Sequence, residues 1–269
     1  MNLDWLHGLF RFNVWSFAVP AAIISGYWFA LRRSREAGID TKEFESAMEW
    51  AVGGGLVISH MVEILLYQPQ RLQEGWWTLF KFWDGLSSYG GFFGAVFSLT
   101  IFYLVLRRRR WWLEADLIIQ GLILGWIFGR FGCTVSGDHP GSHTTLPFAF
   151  KYPDGPRHNL GLYEMVFTLV ILFPANLLLH RKKPPVGGYL AMNCLLYGAG
   201  RFGLDFLRAT DRTDMDPRYF GLTLGHYCSL GIFVFGLIVA VLAKARKLEP
   251  APIKPGDASP SLPSSASPP

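Results

Sequence analysis

Long, nearly uncharged apolar runs constrain this chain more than any other feature of its sequence. A bilayer core about 30 Å thick is crossed by roughly 20 apolar residues in a helix. Charged residues make up only 17% of the chain, whereas about a quarter is usual in soluble proteins. The apolar runs cover residues 14–31, 47–66, 90–106, 117–135, 161–179, 187–206 and 222–242. The sequence therefore predicts an all-α, polytopic membrane protein with about seven transmembrane helices, and it excludes a soluble enzyme.

Clusters of basic residues follow every second run. "LRRSR" follows the first, "RRRR" the third, "HRKK" the fifth and "KARK" the seventh. Because basic loops stay in the cytoplasm, the amino terminus is predicted to lie outside and the carboxyl terminus inside. Topology and contact with anionic lipids explain the net charge of +5, which does not indicate a nucleic-acid partner. No small-residue cleavage site follows the first run, so we expect it to remain as a helix.

The composition changes near the carboxyl terminus. Residues 249–269 read "EPAPIKPGDASPSLPSSASPP", a segment rich in Pro, Ser and Ala that can bury little apolar surface. We predict a disordered cytoplasmic tail there, and one membrane-embedded domain over residues 1–248.

Cysteines Cys133, Cys194 and Cys228 all lie in apolar segments. Thiols in such places pack as small hydrophobic groups. Because no CxxC spacing occurs, no metal site is predicted.

Ionisable residues gather at the outer end of the fourth run, which reads "GRFGCTVSGDHPG". Arg130 lies at membrane depth, whereas Asp138 and His139 belong to a segment whose glycines and proline predict a structured loop. Gly141 ends this stretch, and glycine lets a backbone turn or approach a ligand closely.

The outer end of the sixth run, "YGAGRFGLDFLRATD", carries a second polar stripe. Arg201, Asp205 and Arg208 are spaced so that they share one helical face. Ionisable groups within a span generally face the bundle interior or a wet cavity. An Arg201–Asp205 ion pair, with Arg208 reaching towards the membrane surface, is an alternative explanation of this stripe.

Arg130 and Arg201 therefore lie at similar depth on different helices. Like charges repel strongly in a medium of low dielectric, so a shared anion would stabilise both. Guanidinium groups bind phosphate through two parallel hydrogen bonds, and phospholipid head groups supply phosphate at this depth. The sequence predicts that these two arginines clamp a lipid phosphodiester.

Three further residues are predicted to lie on the same outer surface. They are Tyr89 in "WDGLSSYGGFFGAVF", Tyr163 in "RHNLGLYE" and His226 in "LTLGHYCSLG". Tyr89 is equally explained as an interfacial aromatic residue, and a histidine such as His226 is more often a hydrogen-bonded structural group than a base.

These motifs, in their order along the chain, resemble those of bacterial prolipoprotein diacylglyceryl transferases. "ADLIIQGLILGWIFGRFGCTVSGDHPG" is similar to the family signature, an aspartate and an apolar helix followed by GRxGNFxNGExxG. Four further segments follow in chain order. "WDGLSSYGGFFGAVF" resembles the family's WDGGMSFHGGLxG, and "RHNLGLYE" resembles RHPSQLYE. "YGAGRFGLDFLRATD" resembles YGxxRFxxEFxRxPD, and "LTLGHYCSLG" resembles xSMGQxLSxP. The family moves the diacylglyceryl group of phosphatidylglycerol to a lipobox cysteine thiol in a secreted precursor, and glycerol phosphate leaves.

The resemblance implies partners, a location and residue roles. The partners are phosphatidylglycerol, a prolipoprotein signal peptide with its lipobox cysteine, and membrane lipids; the location is the bacterial cytoplasmic (inner) membrane. No metal or organic cofactor is implied. The expected catalytic residues are Arg130, Arg201, Asp138, His139 and Tyr89. The expected substrate-binding residues are Arg130, Arg201, Gly141, Tyr163, Asp205, Arg208 and His226. His139, Tyr89 and His226 are the alternatives for the base that takes the thiol proton.

The sequence also departs from the family motifs. Tyr89 stands where the family has histidine, Cys133 where it has asparagine, and His226 where it has glutamine. These departures keep two alternatives open: a related phospholipid-dependent transferase with another acceptor, and a catalytically inactive lipid-binding membrane protein. Cys133 as a covalent nucleophile is a further alternative.

Overall fold

A computed structural model describes residues 14–81, 85–107, 111–211, 218–245 and 247–248, with only the backbone described for Tyr67, Ser88 and Tyr89. Within these ranges the chain forms seven long helices. They are α1 (Trp15–Glu36), α2 (Thr41–Val62), α3 (Ser88–Thr100), α4 (Trp112–Ser136), α5 (Leu160–Arg181), α6 (Gly188–Asp205) and α7 (Leu224–Lys244). Three π-helical turns interrupt or extend these helices, at Glu63–Tyr67 after α2, Ile101–Leu106 after α3 and Thr168–Leu172 within α5.

Each of the predicted apolar runs is largely helical, and the protein is an all-α polytopic membrane protein. Four helices of the described residues are long and apolar enough to cross a membrane: Thr41–Leu66, Trp112–Ser136, Leu160–Arg181 and Leu224–Lys244. Gly90–Leu106 is a shorter apolar helix. The number of seven crossings and the outside position of the amino terminus stay predictions, and the predicted tail lies outside the described residues.

Small residues bring the helices together. A methyl group added to Gly121 of α4 would lie 2.3 Å from the carbonyl oxygen of Gly26 in α1. One added to Gly94 of α3 would lie 2.6 Å from the carbonyl oxygen of Gly54 in α2. Such backbone contact between helices depends on glycine and is typical of packing in membranes, where van der Waals contact drives association.

A buried carboxylate fixes the start of α6. Asp116, near the start of α4, accepts hydrogen bonds from the backbone N–H groups of Gly187 at 2.7 Å and Leu190 at 2.8 Å. These N–H groups have no partner inside the helix, so the carboxylate acts as a cap. Asp116 and Arg130 are separated by about 21 Å along α4, so this contact lies at the end of the bundle opposite to Arg130.

The chain between α4 and α5 forms a small antiparallel sheet. Its strands are β1 (Pro140–His143), β2 (Phe150–Tyr152) and β3 (Gly155–Asn159), in the order β1–β3–β2. The predicted structured loop after the fourth run is therefore a sheet. A second hairpin, β4 (Arg218–Tyr219) and β5 (Leu222–Thr223), precedes α7.

Arg157 of β3 anchors this sheet to the end of α6. Its guanidinium is 1% exposed and donates to both carboxylates of Asp154 and Asp211 and to the carbonyl oxygen of Gly141. Gly141 of β1 also forms an isolated β-bridge with Arg208. The sheet is thereby held against the helix end that carries Arg201.

Gly141→Ala tests this close approach. The added methyl would lie 2.7 Å from both the Leu207 carbonyl oxygen and the His158 Cβ, so we expect destabilisation of roughly 1–3 kcal/mol from overpacking. Thermal unfolding of the purified protein in detergent measures it. Gly203→Ala is the matched control, because open space surrounds that position. Equal unfolding midpoints for the two variants would contradict the packing described here.

Candidate active site

Two arginines converge on one carboxylate in the bundle. Arg130 of α4 pairs through Nε with Oε2 of Glu164, and Arg201 of α6 lies with its Nε 2.7 Å from Oε1 of the same side chain. Arg130 and Arg201 are each 8% exposed and Glu164 is 2% exposed. The sequence predicts two guanidiniums sharing an anion, and the structure brings them together around the protein's own carboxylate.

The start of α5 explains the position of Glu164. The Asn159 side chain accepts a hydrogen bond from the Leu162 N–H at 3.0 Å and so caps the helix. Its amide group donates to the carbonyl oxygen of Thr134 in α4 at 2.9 Å. Because Asn159 ties the start of α5 to the end of α4, Glu164 in the second turn of α5 lies beside Arg130.

Asp205 extends the ion cluster from α6 to α7. Its Oδ1 lies 2.9 Å from Nη2 of Arg201 and 3.1 Å from Nε of Arg208, while its Oδ2 accepts from the Thr223 hydroxyl. Asp205 is fully buried. The predicted Arg201–Asp205 pair is present, and Arg208 joins the same carboxylate instead of extending alone to the membrane surface.

His226 caps α7. Its Nδ1 accepts a hydrogen bond from the Thr223 N–H at 3.2 Å, and the Thr223 hydroxyl accepts from the His226 N–H. This reciprocal pair is a capping box. The imidazole packs edge-on against Phe202 and Phe206. The structure thus gives His226 a structural role beside Asp205, and its part in substrate binding or proton transfer stays a prediction.

His139 lies in the chain segment between α4 and β1. Its Nε2 is 3.8 Å from Oδ1 of Asp138. Burial, together with the positive charges of Arg130, Arg208 and Arg201, lowers the pKa of His139 to about 3. The imidazole is therefore neutral at physiological pH and has a low affinity for a proton while these arginines are its main charged neighbours.

The remaining expected residues are Tyr163, Gly141 and Tyr89. The hydroxyl of Tyr163 is 2.6 Å from Nδ1 of His158, and its ring packs edge-on against Phe148. Gly141 acts through the backbone contacts of β1 described above. The side chain of Tyr89 lies outside the described residues.

Residues that the sequence analysis missed complete the site. Glu164 is the central one, although a carboxylate in the apolar start of a predicted span is a readable signal. The guanidinium of Arg130 lies 4.4 Å from the ring centre of Trp126, a cation–π contact. The Trp126 and Tyr197 rings are 5.9 Å apart. Each aromatic ring precedes an arginine by four residues, a spacing that places the pair on one helical face.

The buried cluster keeps hydrogen-bonding capacity unused. Among the described residues, Nη1 of Arg201 has no hydrogen-bond partner, and neither oxygen of Glu164 accepts an aligned hydrogen bond. Buried polar groups are nearly always satisfied, so exceptions call for an explanation such as a ligand. Arg201 Nη1 can therefore donate to a further anion without breaking any hydrogen bond of its own.

Comparison with known proteins identifies relatives over most of the chain. The family model for prolipoprotein diacylglyceryl transferase matches residues 5–242. A phosphatidylglycerol–prolipoprotein diacylglyceryl transferase of Nitratidesulfovibrio vulgaris (strain Miyazaki F) is 30% identical over 237 residues, which cover 86% of this chain and 89% of the relative. The protein of the same name from the Hildenborough strain is 32% identical over 86% of this chain and 89% of its own length. A third, from Cupriavidus metallidurans, is 29% identical over 84% of this chain and 87% of its own length.

The low pKa of His139 predicts a measurable titration. In the free protein the imidazole should stay neutral between pH 7 and pH 4, because its pKa is about 3. Since the unfolded chain takes up this proton near pH 6.5, the contribution of His139 to stability should be lost as the pH falls from about 6.5 towards 3. NMR of labelled histidines in detergent measures the titration, with His139→Gln identifying the signal. A midpoint near 6.5 would contradict the environment described.

Proposed function

The chain belongs to the prolipoprotein diacylglyceryl transferase family, and we propose that it transfers the diacylglyceryl group of phosphatidylglycerol to the lipobox cysteine thiol of prolipoproteins. The thiolate attacks the carbon of the diacylglyceryl group that is bonded to the phosphate oxygen, this carbon–oxygen bond breaks as the carbon–sulfur bond forms, and glycerol phosphate leaves. The reaction needs a site for the phosphate, a base for the thiol and a water-poor setting in the membrane.

The Arg130–Glu164–Arg201 cluster carries the assignment of the phosphate site. Two guanidiniums and one carboxylate leave a formal charge of +1, which one phosphodiester would neutralise. Arg201 Nη1 has no hydrogen-bond partner among the described residues and is free to donate to such an anion. As negative charge grows on the leaving phosphate, preorganised guanidiniums in a low-dielectric site stabilise the transition state more than the ground state.

Glu164 has a distinct role in this proposal. In the absence of lipid it separates two buried positive charges that would otherwise repel. It also holds both arginines through their Nε atoms, which leaves Nη1 of Arg201 available to a ligand. Glu164 is therefore a positioning residue for the phosphate-binding arginines.

Binding of the lipid would also activate the base. A free thiol has a pKa near 8.5, so a base must take its proton. His139, whose side chain is 30% exposed, is more accessible to an acceptor thiol than His226, which is fully buried. A bound phosphodiester would offset the arginine charges that lower the pKa of His139, and would raise that pKa towards neutrality. We propose that phosphatidylglycerol therefore binds before the thiol is deprotonated.

The placement of charge supports a site on the outer face of the bacterial inner membrane. Several helices end in basic residues, for example α1 with Arg33 and Arg35 and α5 with His180 and Arg181. These basic ends lie at the end of the helix bundle opposite to Arg130. The positive-inside rule assigns those ends to the cytoplasm. The amino terminus and the site would then face outward, where a secreted prolipoprotein presents its signal peptide.

Arg130→Lys and Arg201→Lys test the phosphate site. Lysine keeps the charge but loses the planar fork that binds phosphate, so each change should lower the rate of transfer at least about 100-fold. The assay follows labelled diacylglyceryl transfer from phosphatidylglycerol to a lipobox peptide. Arg32→Lys is the control, because that side chain is 60% exposed and pairs with Glu36 at the other end of the bundle.

The products separate the alternatives. Wild-type rates in either site variant would contradict the phosphate site. Release of glycerol phosphate without labelled peptide would favour a related transferase with another acceptor. A folded protein that binds the lipid without releasing glycerol phosphate would favour an inactive lipid-binding protein.

Glu164→Gln tests the charge balance of the cluster. Removing the carboxylate leaves the buried Arg130 guanidinium without its ion pair to Glu164 and Arg201 paired only with Asp205, which should cost roughly 3–5 kcal/mol of stability. A phosphodiester can replace the missing charge, so phosphatidylglycerol should raise the thermal unfolding midpoint of this variant more than that of the wild type. Glu36→Gln, at an ion pair distant from the site, should show the wild-type response. A lipid response of Glu164→Gln no larger than that of the control would refute the proposed balance.

A further inference from the structure

A thiol, a carboxylate and an imidazole meet at the carboxyl end of α4. Ligand atoms of Cys133, Asp138 and His139 all lie within 4.8 Å of one another. Gly137 brings them together: it adopts a left-handed conformation with φ of 67°, and its N–H donates to the Cys133 carbonyl oxygen at 3.0 Å. This helix-ending turn reverses the chain, so that Asp138 and His139 return to the cysteine. We propose that these three side chains bind a thiophilic divalent cation, of which Zn²⁺ is the expected example.

The donor set suits such an ion. Zn²⁺ is held by thiolate sulfur at about 2.3 Å and by imidazole nitrogen or carboxylate oxygen at about 2.0–2.2 Å. Ligand atoms of a tetrahedral site are then about 3.3–3.8 Å apart. His139 Nε2 and Asp138 Oδ1 are already 3.8 Å apart, so small side-chain rotations close the site. Three protein ligands leave the fourth position for water or a substrate atom.

The site is both accessible and supported. The side chains of Asp138 and His139 are 39% and 30% exposed, so an ion can reach them from water, whereas Cys133 is 4% exposed. The Leu160 N–H donates to the His139 carbonyl oxygen at 3.1 Å, which fixes the backbone of the ligand-bearing segment. A fixed backbone lowers the entropy lost when the ligands close around an ion.

The charges balance on binding. Cys133 loses its thiol proton to solvent, and the sulfur–metal bond forms; the thiolate and the Asp138 carboxylate then neutralise the two charges of the ion. Coordination to the ion itself removes the thiol proton. The positive charge of Arg130 lies close by, with Nη1 3.5 Å from Cys133 Sγ. Its repulsion of the metal ion is reduced because Glu164 pairs with the same guanidinium. The neutral imidazole of His139 contributes its lone pair, so a bound ion and the proton-accepting role proposed above for His139 exclude each other, and transfer would require the metal-free form.

Cobalt binding tests this site, since Co²⁺ takes zinc ligand sets and absorbs in the near ultraviolet when a thiolate coordinates it. The purified full-length protein in detergent, freed of metal with a chelator, is titrated with Co²⁺. We expect a thiolate-to-cobalt band that saturates at one equivalent and disappears on addition of Zn²⁺. Cys133→Ser should abolish the band, and His139→Gln should weaken cobalt affinity at least about tenfold.

Cys194→Ser is the matched control, because Cys194 lies on α6 outside the cluster and should leave the band unchanged. Absence of the band in the wild type, or its persistence in Cys133→Ser, overturns the proposal. The readout is optical and independent of diacylglyceryl transfer. A protein without transfer activity can still show the band, and a failed cobalt titration leaves the transfer assay intact.

Discussion

The carboxylate of Glu164 between two buried guanidiniums is the interaction on which the rest of the site depends. Arg130 and Arg201 come from different helices and would repel each other in a medium of low dielectric if no anion separated them. Glu164 pairs with both, and Asp205 carries the same network from Arg201 to Thr223 at the start of α7. The ends of α4, α5, α6 and α7 are thus joined by charge as well as by packing.

In the proposed function, the charge of the substrate and the base strength of His139 are coupled. The arginines that suit a phosphodiester also lower the pKa of His139 to about 3, so the free site contains a neutral and weakly basic imidazole. An anion that compensates the arginines would strengthen the base at the moment when a thiol must be deprotonated. The order of binding then follows from electrostatics and needs no moving lid.

Much of the helical fold and part of the site could be predicted from the sequence, for physical reasons. Long apolar runs leave a backbone in lipid no alternative to the helix, and the convergence of Arg130 and Arg201 follows from two charges at equal depth. The sequence gives Glu164 no specific role, because a single carboxylate near a helix start is equally compatible with an exposed position. The strands of the β1–β3–β2 sheet are too short for alternation to reveal them. The meeting of Cys133 with His139 depends on the left-handed turn at Gly137, a conformation that sequence spacing alone does not specify.

Two buried charged groups, Asp116 on α4 and Arg201 on α6, show how structural charge differs from the charge of the candidate site. Asp116 directs both oxygens at backbone N–H groups of the α6 start, so its hydrogen bonds complete a helix terminus and hold two helices together. Arg201, in contrast, keeps one buried nitrogen without a hydrogen-bond partner among the described residues, within a cluster that includes several charges. Well-packed apolar side chains often match or exceed the stability that a buried ion cluster provides. A buried cluster that keeps this unused donor at one end of a membrane bundle therefore supports the proposal that it binds an anion, beyond any part it has in the fold.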